Sequence, residues 1–348
     1  MNIDWKNVRR VLVVRLRSIG DTVLATPSLI ALKRFLPEAQ IDILLEDWVA
    51  PLLEDFDAID NLITVPTKNS VPVGKDKMSA KDLLFWRSAV ALSLRETKYD
   101  VAFNLHGGTT ATFFVRASGA RHRVGFQNYQ YNFLYNHLLS SSSDFWQKEH
   151  THSAEQQLAL LGFVGVPVDD KPKSRLTVTE ATRNSLENKL SSFILYPLSF
   201  ALFHPTAAFE SKQWSTENFA RVAEYLFEKG LTTVAVATKK ERSVLENLKQ
   251  NSRVAVAIFD DLSLPEITAL AQKAKIFVGN DSGIAHIAAA VNTPTVVIFG
   301  SSNVNHWRPW TNAPNEIVHR GVSEESIKQI TVENVTEAVE KVLRAKFS

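Results

Sequence analysis

The stretch Val278-Gly279-Asn280-Asp281-Ser282-Gly283-Ile284-Ala285-His286, running on into Ile287-Ala288-Ala289-Ala290-Val291, decides how this 348-residue chain is read. An apolar run stops at Val278, small polar residues follow, and an apolar helical pattern begins at once. That is a buried strand turning directly into a helix, the repeating unit of a parallel sheet. Glycine lets a ligand approach the backbone, and the first N–H groups of the helix, at the positive end of its dipole, suit a diphosphate. A carboxylate there would repel phosphate, so Asp281 is read as holding the turn or meeting donor hydroxyls. His286 stands one turn into the helix, where core packing is the competing explanation.

The same alternation extends outward in both directions. Short runs apolar on both faces occur at 11–14, 41–45, 62–65 and 101–105, and again at 200–203, 233–237, 254–258, 276–278 and 295–299. Between them apolar residues recur at helical spacing, as at Leu83, Trp86, Val90 and Leu94, or Phe219, Val222, Ala223 and Leu226. A Pro-, Lys- and Asp-rich connection at 166–175 divides the two series. The pattern predicts an α/β chain of two Rossmann-like doubly wound domains, 1–170 and 171–348, in which the last helix, with Val335, Ala338, Val339 and Val342, could pack back on the first domain. The stretch 66–80, with Pro66, Pro72 and Gly74, reads as a mobile loop.

Composition narrows the function. The 39 basic and 37 acidic side chains leave a net charge of +2, too even for a general nucleic-acid binder. The absence of cysteine excludes a disulfide framework, thiolate metal sites and a catalytic thiol. No apolar run reaches the ~18–20 residues of a membrane-spanning helix, and the first ten residues lack a signal-peptide core, so a cytoplasmic location is expected.

Ligands of an open parallel sheet bind beyond the carboxyl ends of its strands. After the first strand comes Arg15-Leu16-Arg17-Ser18-Ile19-Gly20-Asp21. Gly20 permits a tight turn, and Asp21 is read as a general base or, alternatively, as a helix cap, with Arg15 and Arg17 placed to hold an anion. After the 200–203 strand, Thr206 and Lys212 can cradle a phosphate, or simply lie in a solvated loop. After the 101–105 strand comes Asn104-Leu105-His106-Gly107-Gly108. The 43-residue window 101–143 contains no acid but holds three arginines (Arg116, Arg121, Arg123) and three histidines. Such a local excess points to an anionic ligand, unless the arginines pair with carboxylates from elsewhere.

Taken together, these blocks resemble the ADP-heptose:lipopolysaccharide heptosyltransferases of glycosyltransferase family 9. Residues 15–26 and 277–300 carry the resemblance most strongly, and 204–214 and 152–161 agree in order and spacing. The resemblance implies a GT-B architecture with two domains facing a cleft, acceptor on the first and nucleotide sugar on the second, and neither metal nor other cofactor. It implies inverting transfer of heptose from ADP-heptose to the Kdo/heptose inner core, with Asp21 as base. By motif position the donor would meet Gly20, Thr206, Lys212, Glu241, Asp281, Ser282, Gly283 and His286. Arg15 falls where the family carries a basic residue facing the acceptor; Arg17, His106, Arg121 and Arg123 join it from the charge pattern.

The implied partners are an ADP-sugar, a lipid A-linked core oligosaccharide and the cytoplasmic face of the inner membrane, touched through Phe85, Trp86 and Arg87, the aromatic tract 126–135 or the 66–80 loop; no nucleic acid is implied, and a monomer is expected. Thr206 replaces a common glycine, Thr238-Lys239-Lys240-Glu241 lacks one, and Asn303 replaces a common aspartate. These departures touch the donor pocket, which leaves a GT-B enzyme using another nucleotide sugar, or a non-catalytic sugar-nucleotide-binding protein, as alternatives. A dehydrogenase would need the G-x-G-x-x-G fingerprint that is missing after the first strand. Relatives that glycosylate autotransporters carry an iron-binding cysteine cluster, and a chain without cysteine stands apart from them.

Overall fold

The computed structural model describes residues 3–70, 78–191, 199–323 and 325–345. Residues 71–77 of the 66–80 loop singled out above therefore lie outside the described residues. The chain divides into two compact units, Met1–Pro172 and Lys173–Ser348.

The first unit is built on β1 (Arg10–Val14), β2 (Gln40–Glu46), β3 (Asn61–Val65), β4 (Val101–Asn104), β5 (His122–Phe126) and β6 (His137–Leu139). They form one parallel sheet in the order β3-β2-β1-β4-β5-β6. The second unit repeats the plan with β7 (Phe200–His204), β8 (Thr232–Val236), β9 (Val256–Phe259), β10 (Ile276–Asn280), β11 (Thr295–Phe299) and β12 (Asn315–His319), ordered β12-β11-β10-β7-β8-β9. In each sheet the chain fills one side, returns to the centre and fills the other. The crossovers leave in opposite directions between β1 and β4, and between β7 and β10. A crevice opens at such a switch point, beyond the carboxyl ends of the two central strands.

The central strands are fully buried, as expected of a sheet covered on both faces. Each unit has its own core, around Leu12, Phe114 and Val115 in the first and Phe203, Trp214 and Phe219 in the second. The last helix, Val332–Arg344, buries Val335, Ala338, Val339 and Val342 in the second core, against β11, β12 and helix Thr216–Glu228. Its apolar face is thus used within its own unit.

Local chemistry sets the element ends. Ser215 caps helix Thr216–Glu228 by accepting from the Asn218 N–H. The segment after β1 forms two short helices, Ile19–Val23 and Thr26–Phe35; Pro27 in the first turn of the second favours a fresh start. Three strands, β5, β6 and β12, have no counterpart in the apolar runs. They lie at or next to sheet edges, where part of each strand is only half-buried.

Candidate active site

In the first unit, β1 ends at Val14 and the chain turns through Ser18 into helix Ile19–Val23, whose first turn carries Asp21. The Ser18 hydroxyl donates to Asp21 Oδ2 at 3.0 Å. Arg15 forms an ion pair with Asp21 Oδ1. Arg15 is only 7% exposed, and its guanidinium also donates to the Leu105 carbonyl in the loop after β4. The two loops that flank the switch point are therefore joined by a buried arginine. Burial pulls the Arg15 pKa down while the Asp21 carboxylate opposes the shift.

The loop after β4 is organised by Asn104, which is fully buried. Its Oδ1 accepts from the N–H groups of His106 at 3.0 Å and Gly107 at 2.9 Å. Its Nδ2 donates to the Tyr135 hydroxyl at 2.7 Å, which in turn donates to Thr112 Oγ1 at 2.9 Å. The Tyr129 hydroxyl donates to the Asn104 carbonyl at 3.1 Å. Gly107 has φ +76°, and a Cβ there would stand 3.3 Å from the Tyr129 ring, so glycine is required on both counts. His106 is fixed beside Arg15, Arg17 and Asp21. Burial, then the two arginines, push its pKa down to about 4, leaving a neutral imidazole that can donate and accept.

The rest of the acid-free window goes elsewhere. β5 pairs with β4 through Val101–His122 and Ala102–Arg123. These residues sit at the amino ends of the strands, opposite the crevice. Arg123 donates to the carbonyls of Leu134 at 2.6 Å and Ala120 at 2.7 Å, holding its own loop. His122 Nδ1 and His137 Nε2 lie 2.9 Å apart across the edge strands. Arg121 is exposed, with its carbonyl accepting from Asn136. Arg121 and Arg123 are thus not brought to Asp21, whereas Arg15, expected to face an acceptor, is paired with it. Arg17 is exposed and His106 joins the site.

In the second unit, His204 ends β7. Its Nδ1 faces the Val236 carbonyl at 2.8 Å and must carry the proton there, so Nε2 accepts from Thr206 Oγ1 at 3.2 Å. Burial keeps that ring neutral by lowering its pKa. Glu241 caps its own turn after β8, accepting from the Thr238 N–H at 3.0 Å and hydroxyl at 2.6 Å. Burial alone would raise its pKa, but the two bonds from Thr238 outweigh this and hold it below the usual range.

Across β7 and β10, Lys212 Nζ reaches Asp281 Oδ2 at 3.1 Å, and Ser302 Oγ donates to the same oxygen at 2.5 Å. Asn280, fully buried at the end of β10, accepts from the Trp214 N–H at 3.1 Å and donates to the Pro205 carbonyl at 2.8 Å. It therefore pins both ends of the loop that carries Thr206 and Lys212. A Cβ on Gly300 would overlap the Ser211 carbonyl oxygen, so bare backbone is needed where the loop after β11 passes that turn. Ser282 is the N-cap of helix Gly283–Ala290 but makes no capping bond, and its enclosed hydroxyl has no partner among the described residues. His286 is buried one turn on. Asn303, the departure noted after β11, caps helix Val304–Trp307 by accepting from the Asn305 N–H at 3.0 Å.

Asn280 and Ser302 were not singled out from the sequence, and Asn104 was noted only within its motif. A signal exists: Asn104 and Asn280 each end an otherwise apolar strand beside a switch point, where a buried amide can tie two loops. Among the described residues, no group of three or more His, Asp and Glu side chains is arranged to hold a metal ion. No described helix is long and apolar enough to cross a membrane.

Two Rossmann-like units, each with its polar cluster at the switch point, make up a GT-B architecture. The chain belongs to glycosyltransferase family 9 (heptosyltransferase), whose sequence model matches residues 87–336. It is 29% identical over 309 residues to lipopolysaccharide heptosyltransferase 3 of Escherichia coli, covering 85% of each chain. Its fold matches the glycosyl transferase family 9 structure from Veillonella parvula with a TM-score of 0.84 at 20% identity, over 96% of this chain and 97% of that one. It matches Escherichia coli ADP-heptose lps heptosyltransferase II with a TM-score of 0.80 at 22% identity, over 96% and 98%.

Proposed function

We propose that this glycosyltransferase moves heptose from ADP-heptose to the Kdo/heptose inner core of lipopolysaccharide, with inversion and without a metal, Asp21 acting as general base. The observation that carries the reading is a carboxylate tethered through both oxygens, by Ser18 and Arg15, at the switch point of the first unit. The acceptor hydroxyl oxygen attacks the anomeric carbon, its proton passes to Asp21, and the bond to the diphosphate breaks on the opposite face, ADP taking the electron pair. Lys212 and the uncapped N–H groups at Ser282–Gly283 meet the charge growing on the leaving diphosphate. Thr206 and Glu241 serve the nucleotide, Asp281 the sugar hydroxyls, and His286 packs beneath them. Arg17 and His106 face the acceptor, whose carboxylates and phosphates are anionic. A lipid-anchored acceptor calls for a peripheral protein on the cytoplasmic face of the inner membrane, working as a monomer; exposed Leu84, Phe85 and Trp86 on helix Ala80–Thr97 support such a contact.

The test is ADP release from a panel of nucleotide sugars with and without defined lipid A–Kdo acceptors. ADP-heptose and acceptor should both be required. A positioned base contributes ~10²–10⁴ in rate, so Asp21→Asn should lose about that much while ADP-heptose still binds. Full turnover in that variant removes Asp21 from the mechanism. Preference for another nucleotide sugar, or binding without transfer, selects one of the alternatives. Rates should survive a chelator; a strict need for magnesium or manganese contradicts the metal-free route.

A further inference from the structure

A cation that recognises an anionic acceptor keeps its charged group open to solvent; one that fixes a carboxylate is buried between rigid anchors. Arg17 is exposed, whereas Arg15 is 7% exposed, paired with Asp21 Oδ1 and bonded to the Leu105 carbonyl. We propose that Arg15 is a positioning residue that orients the Asp21 carboxylate, while Arg17 meets the anionic groups of the acceptor. The inference deepens the reading of Asp21 as the base and rests on it.

The tether is two-sided. Ser18 holds Oδ2 at 3.0 Å and Arg15 holds Oδ1, which fixes the plane of the carboxylate. Each carboxylate oxygen offers two acceptor sites, so one per oxygen stays open for the incoming hydroxyl. Arg15 cannot swing away without breaking its bond to Leu105, and Leu105 lies in the turn that Asn104 closes through the N–H groups of His106 and Gly107. Position is therefore passed from Asn104 through Leu105 and Arg15 to Asp21. The charge balance agrees: a buried guanidinium without its carboxylate would be an uncompensated ion, so the pair locks both members.

The groups around this pair are Ser18 and Arg17 from the loop after β1, His106 from the loop after β4, and Tyr129 from the loop after β5. His106 is neutral at physiological pH, which leaves Arg15 and Arg17 as the cations.

The experiment measures kcat, acceptor KM and thermal melting for Arg15→Gln, Arg15→Lys, Arg17→Ala and Asp21→Asn in the full chain. Arg15→Gln should lower kcat by ~10², the effect of a misplaced reacting group, and leave acceptor KM unchanged. Arg15→Lys keeps the charge but not the fork, so it should restore only part of kcat. Arg17→Ala should raise acceptor KM. A raised acceptor KM with unchanged kcat in Arg15→Gln overturns the proposal. Should that variant fail to melt cooperatively, Arg15→Lys decides: full kcat there overturns it as well. Full turnover in Asp21→Asn defeats the base reading itself, a different result from an unchanged kcat in Arg15→Gln beside an inactive Asp21→Asn.

Discussion

Replacing Gly300 by alanine perturbs the donor site without altering any group assigned to a ligand. Gly300 has no positive φ, so its backbone accepts alanine and only space is at issue. The added Cβ would overlap the Ser211 carbonyl oxygen and stand 3.2 Å from Lys212 Cα, against the ~3.5–4.0 Å of an ordinary carbon contact. Both neighbours are backbone atoms, so no flexible tip can swing aside. Either the turn Glu210–Lys212 or the loop after β11 must shift by a large fraction of an ångström. Lys212 Nζ lies 3.1 Å from Asp281 and Ser302 bonds the same carboxylate, so a shift of that size takes the ammonium beyond the ~3.2 Å hydrogen-bond range. Overpacking of this kind costs ~1–3 kcal/mol in stability, and a 1 Å misplacement can cost ~10² in rate. Calorimetric titration with ADP, steady-state ADP release and thermal melting read the three effects. The expected result is a folded protein, modestly destabilised, with weaker ADP binding and kcat/KM down by ~10². Native ADP affinity and native turnover in Gly300→Ala would refute the claim that Lys212 is placed by this contact.

Three further outcomes follow from the geometry. Asn280→Ala strands the buried Trp214 N–H and Pro205 carbonyl at ~1–3 kcal/mol each; denaturant unfolding should show a loss of ~2–6 kcal/mol, and a smaller effect than Ser302→Ala would argue against the pinning role. Glu155 sits against Lys148 and Lys171; burial would raise its pKa, but those lysines and the His152 N–H hold it down to about 2. A depressed carboxylate stabilises the fold above its ordinary value of 4.5 and stops doing so as pH falls toward 2. Glu155→Gln should therefore be less stable than wild type at neutral pH, with the gap closing between those values; a gap constant with pH would refute the assignment. Arg123→Met should lose ~2–5 kcal/mol from its two carbonyl bonds without changing acceptor KM, whereas a raised KM would return Arg123 to the acceptor site.

The central strands were legible because burial on both faces leaves a continuous apolar run, as at 11–14 and 295–299. β5, β6 and β12 were not, because edge strands keep polar residues: His122 and Arg123 read as part of a charge excess when they belong to a strand. The loops after β1, β4, β7 and β10 were legible as site loops because strand ends fix where a ligand can bind. What the residues do inside those loops was less so. A one-dimensional pattern shows that Arg15 and Arg17 are cations two positions apart; it does not show that one is buried against Leu105 and the other faces water. Asn280 was hidden for the same reason, since its partners Pro205 and Trp214 lie some seventy residues away in sequence.

The pairing of Lys212 with Asp281 bears on how a catalytic cycle ends. If Lys212 meets the diphosphate, an arriving nucleotide sugar has to draw the ammonium away from an internal carboxylate, which weakens binding at the outset. If so, the same competition would run in reverse once ADP had formed: Asp281, still steadied by Ser302, would take the ammonium back and help eject the product. Where departure of product rather than chemistry limits turnover, a resident counter-ion of this sort trades tightness for speed, and removing it should yield an enzyme that holds ADP more firmly and recycles more slowly.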